Sequence, residues 1–140
     1  MTYLEFTVDG EPVGKGRPRF TRNGHTYTPE KTVSFENLVK LSFQQAYPTT
    51  EPITKAIPIE VKIYACFSIP KSATKKDLKA IENGTKKPTK KPDTDNIAKA
   101  VCDALNGIAY YDDSQIVSLT VCKLYSDKPH TKVIITEQER

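Results

Sequence analysis

The segment IPIEVKIYACFSIP, residues 57–70, constrains the fold more than any other. Ile57, Ile59, Val61, Ile63, Ala65 and Phe67 recur at every second position. Successive side chains of a strand point to opposite faces, so this period places all of them on one side of a β-strand. Such a strand needs a sheet to pair with and a second layer to cover its apolar face. At 140 residues the chain is long enough for one real core and too short for two comfortable ones. A single domain spanning residues 1–140 is expected.

Other elements follow from local pattern. Leu4, Phe6 and Val8 alternate with polar residues, and Asp9-Gly10 is a hairpin signal, so the chain is expected to open as strand, turn, strand. Gly14, Gly16 and Pro18 then break regularity, so the basic residues beside them project from a loop or an irregular edge. GHTYTP reads as a short extension, and Pro29 suits the first turn of a helix. From Glu30 to about Tyr47, Val33, Leu38, Leu41 and Phe43 recur at roughly helical spacing until Pro48 and Pro52. SATKKDLKAIENG resembles a short helix with Ser72 or Thr74 as N-cap and Gly84 as C-cap. A proline-broken basic loop, TKKPTKKPD, leads to another helix closed by Asn106-Gly107. Two strands, QIVSLTVCKLY and TKVIITEQ, follow, joined by Ser126-Asp127-Lys128-Pro129. Strands and helices mix without a regular βαβ repeat. The expected class is α+β: one mixed sheet with two or three helices packed on it.

Composition excludes several classes. The cysteines Cys66, Cys102 and Cys122 are odd in number and far apart, which fits neither a disulfide framework nor a zinc site and suits a reducing compartment. No apolar run approaches membrane-spanning length, and the N-terminus lacks the apolar core of a signal peptide, so a cytoplasmic protein with no membrane partner is expected. His25 and His130 are too isolated for histidine chemistry. No glycine-rich phosphate loop precedes a Lys-Ser/Thr pair, so no nucleotide cofactor is expected; Gly14 and Gly16 read as bend residues. Ser114 has no nearby base, and Tyr110 and Tyr111 read as packing residues. The formal charge of +4 is modest, but its distribution is uneven. Residues 71–91 hold eight lysines against Asp77 and Glu82, and GKGRPRFTR adds Lys15, Arg17, Arg19 and Arg22 with no acid. Two basic runs flanking an acidic cluster suggest a polyanionic partner, although solvated lysine faces would leave the same trace.

The acidic cluster is KPDTDNIAKAVCDALNGIAYYDDSQ, residues 91–115. On a helix starting near Thr94 or Asp95, Ile97, Val101, Ala104, Leu105 and Ile108 gather on one side. Asp95, Lys99, Cys102, Asp103 and Asn106 fall on the other. Capping and the helix dipole account for one of Asp93 and Asp95, and an i,i+4 ion pair with Asp95 accounts for Lys99. They do not account for Asp112-Asp113 just ahead of a strand. Carboxylates converging on Mg²⁺, completed by water and a substrate phosphate, would explain the whole set. Spacing alone does not decide between the two explanations.

The same stretch resembles the signature of the RusA-type Holliday-junction resolvases. It carries Asp-x-Asp-Asn, a lysine four residues after the second Asp, Asp-Ala-Leu-Asn-Gly, and Asp-Asp-x-Gln. Upstream, Lys15, Arg17, Pro18 and Arg19 match a Lys-x-Arg-Pro-Arg segment, and Tyr27 and Pro29 match a Tyr-x-Pro. The resemblance implies a dimeric, Mg²⁺-dependent endonuclease that resolves four-way DNA junctions by paired nicks, with Mn²⁺ as a possible substitute. It implies Asp93, Asp95 and Asp113 as metal ligands and Lys99 as the essential lysine. Asp112 is the weaker candidate, and Asp103 takes a supporting role. Pro92 stands where the family has a basic residue, and basic charge is displaced to Lys86, Lys87, Lys90 and Lys91. With Lys15, Arg17 and Arg19, these are the expected DNA contacts. The alternatives are a DNA-binding protein of this fold without the chemistry, and a metal-dependent nuclease for other branched or single-stranded DNA.

Overall fold

The computed structural model describes residues 2–138. Strands β1 (Tyr3–Asp9), β4 (Ile59–Ser68), β5 (Ile116–Ser126) and β6 (His130–Glu137) form one mixed sheet in the order β1-β6-β4-β5. β6 pairs antiparallel with both β1 and β4, while β4 and β5 run parallel. A parallel pair needs a long crossover. Here the crossover carries α2 (Lys75–Glu82) and α3 (Thr94–Leu105). The helix α1 (Glu30–Ala46) packs against β1 and α3, and α3 also packs against β5. A two-stranded ribbon, β2 (Arg19–Phe20) with β3 (Thr26–Tyr27), stands apart from the sheet. The α+β class read from the sequence is the observed one.

The alternating segment behaves as its period requires: Ile59, Val61, Ile63 and Ala65 are fully buried in the middle of the sheet. They join Leu4, Phe6 and Val8 of β1 and Val133 and Ile135 of β6 in one core. Phe43 closes that core from α1, meeting the Phe6 ring edge-on at 5.4 Å between centroids.

Three local expectations are corrected. First, Asp9-Gly10 does not make a hairpin. β1 pairs along its whole length with β6, ending at Asp9 opposite His130, and Gly10 donates its amide to the Pro129 carbonyl at 3.1 Å. The far strand takes the hydrogen bonds that a local partner would need. Second, the buried stripe of α1 is Thr32, Phe35, Val39 and Phe43, while Val33, Leu38 and Leu41 are exposed. The inward set follows the three-and-four spacing of one helix face; the apolar set read from the sequence straddles two faces. Third, Cys102 shares the side of α3 that carries Asp95, Lys99 and Asp103 but is itself buried, because β5 packs against that helix.

The capping of α2 resolves to Thr74, whose side chain accepts from the Asp77 amide while Asp77 accepts from that of Thr74. None of its residues is buried, so α1 and α3 are the helices that pack on the sheet. β5 and β6 are consecutive but not neighbours, since β4 lies between them. Among the described residues, no helix is long and apolar enough to cross a membrane.

Candidate active site

α3 is fixed by burial of Ile97, Val101, Ala104 and Leu105, all essentially inaccessible. That fixed rotation aims Asp95, Lys99 and Asp103 outward along the first residues of β5. With Asp113 they line a pocket of about 450 Å³, whose other wall is Ile116–Leu119.

Asp113 is held from two sides. Its amide donates to Asn106 Oδ1 at 3.1 Å, and it opens a short 3₁₀ turn that feeds β5. Gln115 anchors that turn from beneath: its buried Nε2 donates to the carbonyls of Thr54 at 2.7 Å and Ile57 at 3.0 Å, and its Oε1 accepts from the Asp112 amide at 2.9 Å. Asp112 is the N-cap residue of the same turn: its carbonyl accepts from the Gln115 amide at 3.0 Å and its side chain from Ser114. The Asp-Asp-x-Gln run therefore divides into a cap, a pocket carboxylate and an anchor. In the sequence Asn106 reads as a helix end and Gln115 as part of the Asp-Asp-x-Gln run, without an anchoring role for either; Asp112-x-x-Gln115 has the spacing of a capping box, which was the available signal.

Removing the anchor is expected to be costly. Gln115→Ala takes the side-chain partner from the Ile57 carbonyl and the Asp112 amide and leaves a hole where a buried side chain stood, and a loss of about 1–3 kcal/mol is expected. Urea unfolding checks this through a lowered midpoint at unchanged slope. A shift below about 0.5 kcal/mol, the range of ordinary surface substitutions, would show that water replaces the amide.

Electrostatics in the pocket are crowded. Partial burial first, then the neighbouring carboxyls of Asp112 and Asp103, raise the Asp113 pKa above its ordinary value. Asp112, accepting from Ser114, is instead lowered. Lys99 forms no ion pair among the described residues, so the expected pairing with Asp95 is not made. Burial pushes the Cys102 thiol up to about 11, which leaves it without thiolate chemistry at neutral pH. Tyr110 is fully buried, donating its hydroxyl to the Cys102 carbonyl, whereas Tyr111 is 63% exposed.

Asp93 lies elsewhere. It is the N-cap residue of α3, but its side chain makes no capping hydrogen bond. It borders a groove of about 890 Å³ with Arg17, Arg19, Lys31 and Lys91. Positions two apart at a helix start do not face each other, which separates Asp93 from Asp95. Lys31, in the first turn of α1, was not anticipated as a lining cation. Gly14 and Gly16 let this groove's loop approach the helices: an added Cβ would fall 2.7 Å from Pro92 Cβ at one and 2.9 Å from Pro29 Cγ at the other. Close approach, more than bending, is why they are glycines.

The remaining candidate cations are distributed. Lys15 pairs with Glu36 and Asp103, and Lys86 pairs with Asp77 at 3.0 Å. Lys87, Lys90 and Lys91 form no ion pair among the described residues. The Lys90 carbonyl accepts from Lys123 Nζ, tying this loop to β5.

Among the described residues, no three His, Cys, Asp or Glu side chains stand close enough to hold a metal ion between them. Mg²⁺ does not require such a cage. It binds through one or two carboxylates and fills its shell with water and substrate phosphate. The hard oxygen donors of Asp95 and Asp113, placed where like charges crowd, fit that ion.

A carboxylate pocket containing an unpaired lysine, beside a cation-lined groove at the mouth of the same helix, is equipment for phosphodiester chemistry on a polyanion. The family model described as Endodeoxyribonuclease RusA matches residues 9–136, and the chain belongs to that family. It is also similar to a Bacillus subtilis (strain 168) protein described as "Uncharacterized protein YqaN", with 44% identity covering 98% of each chain.

Proposed function

We propose that this member of the family is a Mg²⁺-dependent, structure-selective endonuclease acting in the cytoplasm, which resolves four-way DNA junctions by paired nicks. The observation that carries the proposal is the convergence of Asp95, Lys99 and Asp113 on one pocket beside the basic groove. Asp95 and Asp113 would hold Mg²⁺, with water and substrate phosphate completing its shell; Asp93, uncommitted to capping, stands on the groove side and would join the ion only where bound DNA draws the two together. When bound, the ion supplies activation of water and neutralisation of charge on the phosphate. Lys99, free of an ion pair, stabilises charge growing on the phosphate oxygens. Asn106 and Gln115 keep Asp113 in place. Arg17, Arg19, Lys31 and Lys91 grip backbone phosphates along the groove, a contact that gives affinity without sequence information.

A homodimer belongs to this reading. A four-way junction presents two equivalent strands, and each chain carries one such pocket. A twofold pair supplies two pockets with the symmetry of the junction. An interface of this kind needs exposed apolar side chains; the edge strand β5 offers Val117 and Leu119, which also wall the pocket, so a partner seated there would border the site.

Cleavage of matched junction, flap, single-stranded and linear duplex substrates tests the proposal. Preference for the junction is expected; equal or faster cutting of the flap or single strand would move the substrate class. Replacing Lys86, Lys87, Lys90 and Lys91 together by Gln is expected to weaken junction binding, each lost phosphate contact lowering the log–log salt slope by about 0.9. Lys86 contributes least, being already paired with Asp77. An unchanged slope would identify this run as a solvated loop.

A further inference from the structure

Lys15 lines the groove beside Arg17 and Arg19, but its ammonium is engaged within the protein. Its Nζ lies 2.8 Å from Glu36 Oε2 on α1 and 3.3 Å from Asp103 Oδ2 on α3. All three side chains are at most 35% exposed. Its amide donates to the Asn96 carbonyl at 2.8 Å, and the next residue's amide donates to the buried Thr32 hydroxyl at 2.9 Å. Partial burial lowers the Lys15 pKa, but the two carboxylates outweigh that and raise it, so the ammonium is charged. A single positive charge shared by two carboxylates has nothing left to offer a phosphate, which would approach a net negative cluster. Arg17 and Arg19, two and four residues on, form no ion pair among the described residues.

Asp103 has an alternative partner. It lies four residues after Lys99, the spacing at which helix side chains meet. Lys15 draws Asp103 toward α1 and thereby leaves Lys99 uncommitted. The same contact bolts the loop that carries the arginines to the helix that carries Asp95.

We propose that Lys15, bridging Glu36 and Asp103, is a positioning residue for cleavage: it sets the phosphate-gripping loop in register with the catalytic helix and keeps Asp103 from capturing Lys99. This rests on the endonuclease reading above.

Lys15→Met, Lys15→Gln and Lys15→Arg are compared with the wild type on a four-way junction. For Lys15→Met, a roughly tenfold or greater fall in single-turnover cleavage at saturating protein is expected, since small misplacements near a reacting centre are costly. The salt slope of binding stays at the wild-type value, and Lys15→Arg recovers most of the rate. A slope lowered by about 0.9 with an unchanged saturated rate would make Lys15 a phosphate contact and overturn the proposal. A wild-type rate in Lys15→Met would overturn it too. Should Lys15→Met not fold, Lys15→Gln, which keeps a polar side chain but no charge for Asp103, is read in its place, with the same loss expected at unchanged slope and a wild-type rate refuting it. Amine acylation of Lys99, mapped by peptide without DNA, gives a reading independent of activity. Lys99 is expected to label about twofold more slowly once Asp103 is released to pair with it. If the wild type leaves junctions uncut, the endonuclease reading fails, and acylation alone decides the positioning role, equal labelling refuting it.

Discussion

Asp95→Asn is expected to abolish junction cleavage while leaving junction binding intact or tighter. Asp95 lies on the outward face of α3 in the acidic pocket, and its Oδ1 accepts only the adjacent Asn96 amide at 3.0 Å among the described hydrogen bonds. Folding therefore loses little by the change, and the buried face of the helix is untouched. The metal loses a charged oxygen donor, while the DNA phosphates lose a repulsive neighbour. Asp113→Asn belongs to the same class, and Asp93→Asn tests whether the groove-side carboxylate joins the same ion. Electrophoretic binding in Ca²⁺ and cleavage in Mg²⁺ separate the two effects. Parallel loss of binding and cleavage in a folded variant would mark these carboxylates as structural.

Lys99→Ala is expected to slow cleavage by on the order of a hundredfold, the scale of losing one preorganised donor to transition-state charge. Its effect on stability should stay below about 1 kcal/mol, because an exposed lysine without a partner contributes little to folding. The two numbers differ enough to distinguish the explanations. A solvated lysine would change neither quantity by much, and a structural lysine would change both. Single-turnover rates with chemical denaturation of the same variant measure the pair, and near-normal turnover would remove Lys99 from the chemistry.

Much of the framework was legible because its signals are local and periodic. The alternation from Ile57 to Phe67 identified the central strand, and the apolar stripe of α3 fixed which way Asp95 and Lys99 face. What escaped depends on contacts between distant segments. Asp9-Gly10 has the chemistry of a turn, but β6, more than a hundred residues on, determines what β1 pairs with. Val33, Leu38 and Leu41 are apolar yet exposed, so composition without the right spacing misplaced the face of α1. The site shows the same division. Asp95, Lys99 and Asp113 line one pocket, whereas Asp93 borders the basic groove, a separation that i,i+2 spacing at a helix start already implies. The pairing of Lys15 with Glu36 and Asp103 joins three segments, and no local pattern carries it.

Incubation with a mobile four-way junction, labelled on two opposing strands, with and without Mg²⁺, tests the central reading most directly. The expected result is Mg²⁺-dependent nicking of both strands at symmetry-related positions, with linear duplex of the same sequence left whole. An intact junction in the presence of Mg²⁺, or linear duplex cut as fast as the junction, would contradict it.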